Sequence, residues 1–301
     1  MGKAALLFKD NIRVHFSACE TLNQFEALKA MGVGYTLYTA YPFVERMIFD
    51  KFKSPVMTCY DWQNANPFLT PAYIIENSRR CIQDSGLFTL MFGSRKGNRD
   101  ESLMNKWYDA LVKFTLEYGR GATCVEVDCQ KVLGVEKAWE FRQRMKKDLP
   151  NRQINVFHIE DGQRGLDRLI EFSGYIAISV PELRIAKSKT YREDTHRLAC
   201  YIKNKKPGID IHLLGCTESK MLQQNRFCTS CDSSSYLASK RYGYLKKNYI
   251  KNIFPDKVRA LVGDEIFNHV LKFNSEKNTG MILLTVYDLL NRFRKYAGTQ
   301  N

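Results

Sequence analysis

Four carboxylates and one imidazole stand at the ends of apolar runs in this sequence: Asp84, Asp128, His158, Glu160 and Asp232. Asp84 is followed by Ser85 and Gly86, Asp128 ends TCVEVD, His158 and Glu160 end INVFHIE, and Asp232 lies in CysAspSerSerSerTyr at 231–236. Carboxylates of this kind can attack a sugar carbon, accept a proton, or accept hydrogen bonds from the N–H groups of a purine edge. A lone aspartate after a strand is as often only a helix N-cap, and a lone histidine is more often a satisfied buried group. The five residues therefore carry chemistry only if the fold brings them to one place.

The elements that would do so alternate along the chain. Strand-like runs are expected at 13–17 (RVHFS), 35–39 (YTLYT), 86–92 (GLFTLMF), 123–128, 154–159, 175–180, 209–214 and 226–230 (RFCTS), with helical spacing between them. Leu103, Trp107, Leu111 and Phe114 make one such helical stripe, Leu166, Leu169 and Ile170 another. Eight strands each trailed by a helix predict an α/β fold, a (β/α)8 TIM barrel, in which reacting groups stand at the C-terminal ends of the strands. An open doubly wound sheet is the rival, but no Gly-x-Gly-x-x-Gly turn follows any run. The chain reads as a single domain, the barrel over about 10–245 and a basic helical part over 246–301, where Leu283, Val286, Leu290 and Phe293 form a packing stripe.

Charge points to a partner class. The chain carries a net +14, and residues 184–301 alone hold 22 Lys/Arg against 10 Asp/Glu, a net +12. A basic region of this kind suits a polyanion, because each phosphate neutralised releases counterions. Candidate contacts are Lys240, Arg241, Lys246, Lys247 and Lys251, interleaved with Tyr236, Tyr242, Tyr244 and Tyr249, and a second cluster of Arg95, Lys96 and Arg99. Either cluster can equally be a solvated face. No apolar run approaches the roughly 18 residues of a membrane span, and no export or acylation signal opens the sequence. Nine scattered cysteines resemble reduced thiols more than a disulfide framework, so the expected compartment is the cytoplasm.

AspSerGly (84–86), ValAspCys (127–129), TyrIleAlaIleSerValProGlu (175–182), HisLeuLeuGly (212–215) and AspSerSerSerTyr (232–236) occur in this order. The ordered set resembles the tRNA-guanine transglycosylase superfamily over roughly residues 12–245, and is most similar to its phage-encoded branch, which exchanges guanine in DNA for a 7-deazaguanine. The resemblance implies that Asp232 is the nucleophile at C1′, Asp84 the general base, and Asp128 the acceptor for the guanine-like edge. It implies that backbone around Ala177 and Ile178 meets the base, that Ser85 belongs to the base pocket, and that no cofactor is needed. Its implied partners are DNA, or alternatively tRNA, and a free 7-deazaguanine base; a homodimer is left open. A non-catalytic nucleic-acid-binding barrel, as in the family's partner subunits, and a small-molecule barrel glycosidase are the other readings.

Three departures from the family pattern matter. HisIleGluAspGly (158–162) stands in place of Gln-Gly-Gly, leaving the contact to the base's O6 between His158 and Glu160. Ala177 and Ile178 replace a Gly-Gly turn. The zinc run Cys-x-Cys-x-x-Cys does not follow Asp232, and Cys228 and Cys231 precede it inside a strand-like run, so no metal is expected.

Overall fold

A computed structural model describes residues 12–49, 69–92, 100–237, 244–245, 248–249 and 255–293. Eight parallel strands close into a barrel in chain order: β1 (Arg13–Ser17), β2 (Tyr35–Thr39), β3 (Arg80–Asp84), β4 (Thr123–Val125), β5 (Gln153–Phe157), β6 (Tyr175–Ser179), β7 (Asp210–Leu214) and β8 (Ser230–Ser233). β8 pairs back onto β1, with His15 opposite Asp232, and this closes the sheet. The fold is the expected (β/α)8 barrel. A two-residue antiparallel pair, β9 (Tyr244–Leu245) with β10 (Asn248–Tyr249), follows it.

The helices are α1 (Leu22–Ala30), α2 (Tyr41–Phe49), α3 (Pro71–Glu76), α4 (Leu87–Phe92), α5 (Glu101–Tyr118), α6 (Gln130–Leu133), α7 (Val135–Asp148), α8 (Gly162–Phe172), α9 (Val180–Ala186), α10 (Tyr191–Lys205), α11 (Ser219–Gln224), α12 (Pro255–Val262), α13 (Asp264–Leu271) and α14 (Glu276–Phe293). Strands with Val, Ile, Leu or Tyr on both faces suit a sheet buried between its own interior and a ring of helices. Leu37, Ile82, Val125, Ile154, Val156, Tyr175 and Ala177 fill the barrel, and a much larger apolar layer separates the strands from the helices. Trp107, Leu111 and Phe114 of α5 and Leu166, Leu169 and Ile170 of α8 are buried there as their spacing predicts. In α14, Leu283, Val286 and Phe293 are buried and Leu290 packs against them; the ring of Phe293 meets Phe16 of β1 at 6.3 Å.

Two strands lie elsewhere than expected. The run 86–92 is helical from Leu87, and the third strand is the preceding RCIQD. Gly86 explains the break: its φ is +76°, and a Cβ there would fall 2.7 Å from the backbone of Tyr41, so only glycine makes the turn that ends the strand at Asp84. The eighth strand begins at Ser230, where the sequence suggested it would end, so Asp232 lies inside β8 and not after it. The fourth strand stops at Val125, three residues short of Asp128. Among the described residues no helix is long and apolar enough to cross a membrane.

Candidate active site

Asp84 is the last residue of β3, Asp128 sits in the loop after β4, His158 follows β5 directly, and Asp232 belongs to β8. The barrel therefore delivers all four to its C-terminal mouth. Asp84 feels the charge of both Asp128 and Asp232, so the three carboxylates form one electrostatic unit.

Asp232 is only 7% exposed. Its Oδ1 accepts hydrogen bonds from the Gly215 N–H at 2.7 Å and from Nε2 of His212 at 3.2 Å. Burial works to raise its pKa, but the bonds from His212, Gly215 and Ser17 outweigh burial and hold it below the ordinary aspartate value. The Gly215 turn is specific: φ is +61°, and a Cβ would meet Cγ of Pro181 at 2.8 Å. His212 is wholly buried, with Nδ1 2.5 Å from the Ser230 hydroxyl, which lies 2.5 Å from the Tyr175 hydroxyl. Nε2–H donates to Asp232, while Nδ1 is tied through the Ser230 hydroxyl to Tyr175, so both ring nitrogens are held. His212 thus orients the carboxylate. Its motif was visible in the sequence, but the role was not.

Asp84 is tuned in the other direction. Burial, then the neighbouring Asp128 charge, raise its pKa from 3.8 to about 7, against smaller opposing bonds from the Gly86 N–H at 3.1 Å and from Thr39. The folded protein therefore holds a proton that the unfolded chain loses between about pH 4 and pH 7, and stability falls as pH rises through that window. Asp84→Asn is expected to melt higher than wild type at pH 8, by no more than about 4 kcal/mol, and to lose that advantage at pH 4. Melting curves at the two pH values check this, and an advantage that does not change with pH would show that Asp84 is not raised.

Asp128 is held by His158. Nε2 of His158 lies 3.1 Å from Asp128 Oδ2, and Nδ1 lies 2.9 Å from Glu182 Oε2. Burial alone would lower the imidazole's pKa, but these two bonds prevail and raise it to about 10, so it is an imidazolium at neutral pH. Lys131 adds a second cation, 3.0 Å from Glu182 and 3.9 Å from Glu160. With both ring nitrogens committed to carboxylates, His158 positions Asp128 and has no N–H left for a base. Glu160 is exposed and turned toward Lys131. Glu182, which the sequence shows only as the end of the 175–182 motif, and Lys131 complete this network.

Two further expectations are corrected. Ala177 and Ile178 lie within β6, paired to β5 on one side and β7 on the other, and are 0% and 1% exposed, so strand pairing uses the backbone that was expected to meet a base. Ser85 is 1% exposed; its hydroxyl faces the Leu87 N–H at 3.5 Å and its carbonyl accepts from the Trp107 indole at 3.1 Å, which makes it a seat for α4 and α5 and not part of the mouth. Arg95, Lys96, Arg99, Lys240, Arg241, Lys246, Lys247 and Lys251 lie outside the described residues.

Cys228 and Cys231 are fully buried, and burial raises both thiols above their ordinary pKa, which suits inert core sulfurs. Among the described residues the one grouping with ligand-like proximity is His158, Glu160 and Glu182, whose candidate atoms lie within 4.8 Å of one another. Lys131 and the imidazolium already supply positive charge there.

No family model matches the sequence, and no curated protein matches it. Among solved structures, the chain is similar to "QR15, an Aldolase" at 12% identity, covering 78% of this chain and 93% of that one with a TM-score of 0.37. It is also similar to the carboxyl transferase domain of Rhizobium etli pyruvate carboxylase at 10% identity, with a TM-score of 0.44 over 93% of this chain and 48% of that one. The chain spans about half the length of that second structure. Neither likeness bears on what the residues of this mouth do.

Proposed function

We propose that this chain is an enzyme that exchanges guanine in DNA for a 7-deazaguanine base through a covalent glycosyl ester on Asp232. The observation that carries the reading is the opposite tuning of two carboxylates at one barrel mouth. Asp232 is held ionised, as a nucleophile must be, while Asp84 titrates near neutrality at about 7, as a group that gives and takes a proton must. Divergent carboxylate pKa values are how retaining glycosyl transfer is divided between two acids.

In the first step an Asp232 oxygen attacks C1′, the C1′–N9 bond breaks, and its electron pair leaves with guanine, which takes a proton from solvent water. Oδ1 is engaged by Gly215 and His212, so Oδ2 is the oxygen we assign to attack. In the second step N9 of the incoming base attacks C1′, the ester C–O bond breaks, and Asp84 takes the N9 proton. Asp128, locked by His158, accepts from the N–H groups of the base edge. The target nucleotide must leave a duplex stack, or be single-stranded, for C1′ to reach the mouth. The choice of DNA rests on the sequence, in which no Cys-x-Cys-x-x-Cys run follows Asp232 within these residues; the net +12 over residues 184–301 suits either polymer.

The test is incubation with radiolabelled guanine or a 7-deazaguanine and either guanine-containing DNA or tRNA. Label entering DNA supports the proposal. Label entering tRNA alone keeps the chemistry and overturns the polymer, and label entering neither leaves a nucleic-acid-binding subunit or an unrelated barrel enzyme as the better reading.

A further inference from the structure

The opposite end of the barrel holds a cavity of about 500 Å³. Its wall is made of the residues that open the strands: Arg13, Tyr35, Arg80, Tyr175, Asp210 and Ser230, with Arg79 and Arg152 just before β3 and β5 and His15 above them. The volume falls within the range of small-molecule sites. Residues at this face of a barrel ordinarily serve stability. Four arginines around one opening work against stability, because they repel one another in the folded state.

The carboxylate present offsets only one of these charges. Asp210 is bound to Arg152 and accepts from the Thr229 hydroxyl at 2.5 Å. Arg79 lies over the Tyr35 ring at 6.0 Å, and among the described residues neither Arg79 nor Arg80 has a carboxylate partner. His15 supplies a second and independent sign of a missing ligand. It lines the cavity, is 3% exposed, and its Nδ1 has no hydrogen-bond partner. A buried polar atom left unpaired costs about 1–3 kcal/mol and is rare in native structures.

We propose that the N-terminal end of the barrel binds a small phosphorylated molecule. Guanidinium groups match phosphate oxygens with paired N–H donors, and Arg79 and Arg80 are placed to offer them. The Tyr35 and Tyr175 rings give an apolar lining that inorganic ions alone do not need. In the tautomer that carries its proton on Nδ1, the His15 ring, kept neutral by burial that lowers its pKa to about 3, can donate to a phosphate oxygen without adding charge. This site opens at the other end of the barrel and shares Tyr175 and Ser230 with the line of bonds that reaches Asp232, but its existence does not depend on base exchange.

The probe is inorganic pyrophosphate, titrated calorimetrically into the full chain at fixed ionic strength, with sodium chloride as the matched control. The expected result is saturable binding, at least tenfold weaker in Arg79→Ala/Arg80→Ala, with a shift of the His15 ring signals in the NMR spectrum of wild type. Arg79 and Arg80 are exposed and their removal relieves repulsion, so the double variant is expected to melt no lower than wild type. Titration no stronger than the chloride control, equal affinity in the double variant, or an unmoved His15 each overturns the proposal. A single-stranded oligonucleotide that displaces pyrophosphate stoichiometrically also overturns it, because the cavity would then be a groove for polymer phosphates.

Discussion

Asp232→Asn is expected to lower base exchange by on the order of 10⁴-fold or more, the scale of loss when a covalent nucleophile is removed. The amide keeps an oxygen where Oδ1 now accepts from Gly215 and His212, so the β7–β8 turn and the fold are expected to survive, as circular dichroism and melting can show. What the amide lacks is a charge to push onto C1′. Wild type incubated with a guanine-containing oligonucleotide and no incoming base should yield a protein–DNA adduct on a denaturing gel, and Asp232→Asn should not. Retention of more than about a hundredth of wild-type exchange would falsify the assignment, because neither Asp84 nor Asp128 can replace a nucleophile held on another strand.

The same assignment fixes the pH profile. Asp232 stays ionised across the neutral range, so it adds no slope there. Asp84 must be ionised to take the N9 proton, and its pKa is about 7. Exchange should therefore fall about tenfold per pH unit below pH 7 and level off above it. In Asp84→Asn the slope should vanish along with most of the rate, and the adduct should accumulate, since the second step is the one deprived of its base. A profile that rises toward low pH would instead make Asp84 an acid in the limiting step.

How much of this could be read from the residues varies with the range of the interaction. Runs such as YTLYT and YIAIS are strands because their own side chains fit a sheet buried on both faces, and the barrel followed from counting them. Asp84, Asp128 and Asp232 were legible for the same local reason, as polar residues near the ends of apolar runs. GLFTLMF was misread because a short apolar run has no period that separates strand from buried helix, and the deciding contact, Gly86 against Tyr41, lies 45 positions away in sequence. Ala177 and Ile178 were placed at the mouth by alignment of a motif, but β6 runs on to Ser179 before the chain turns. The roles of the groups that tune the site were invisible. Glu182 and Lys131 act on His158, and His212 on Asp232, only because the closed barrel sets neighbouring strands side by side.

Arg142→Met is expected to produce the largest loss of stability among single changes near the site, about 3–5 kcal/mol, because it leaves a buried carboxylate without its cation. Arg142 on α7 and Glu126 after β4 are 2% and 1% exposed and form a two-point pair, Nε to Oε2 at 2.7 Å and Nη2 to Oε1 at 2.6 Å. Glu126 also accepts from the Asn155 amide at 2.6 Å and the Val156 N–H at 2.8 Å. The pair therefore ties α7, β5 and the β4 loop together two residues before Asp128. For a chain of this size 1 kcal/mol shifts the melting point by about 2–4 °C, so a fall of roughly 6 °C or more is the measurement to look for. Replacing both members, Glu126→Leu with Arg142→Met, removes the stranded charge and should recover part of the loss, since an apolar pair of similar volume is often no less stable than a buried ion pair. Asn155 and the Val156 N–H would then lack their acceptor, so recovery should be incomplete. If the double variant melts lower than the single one by the full cost of a second independent lesion, the two side chains are not acting as a pair, and the rigidity of the Asp128 loop has another source.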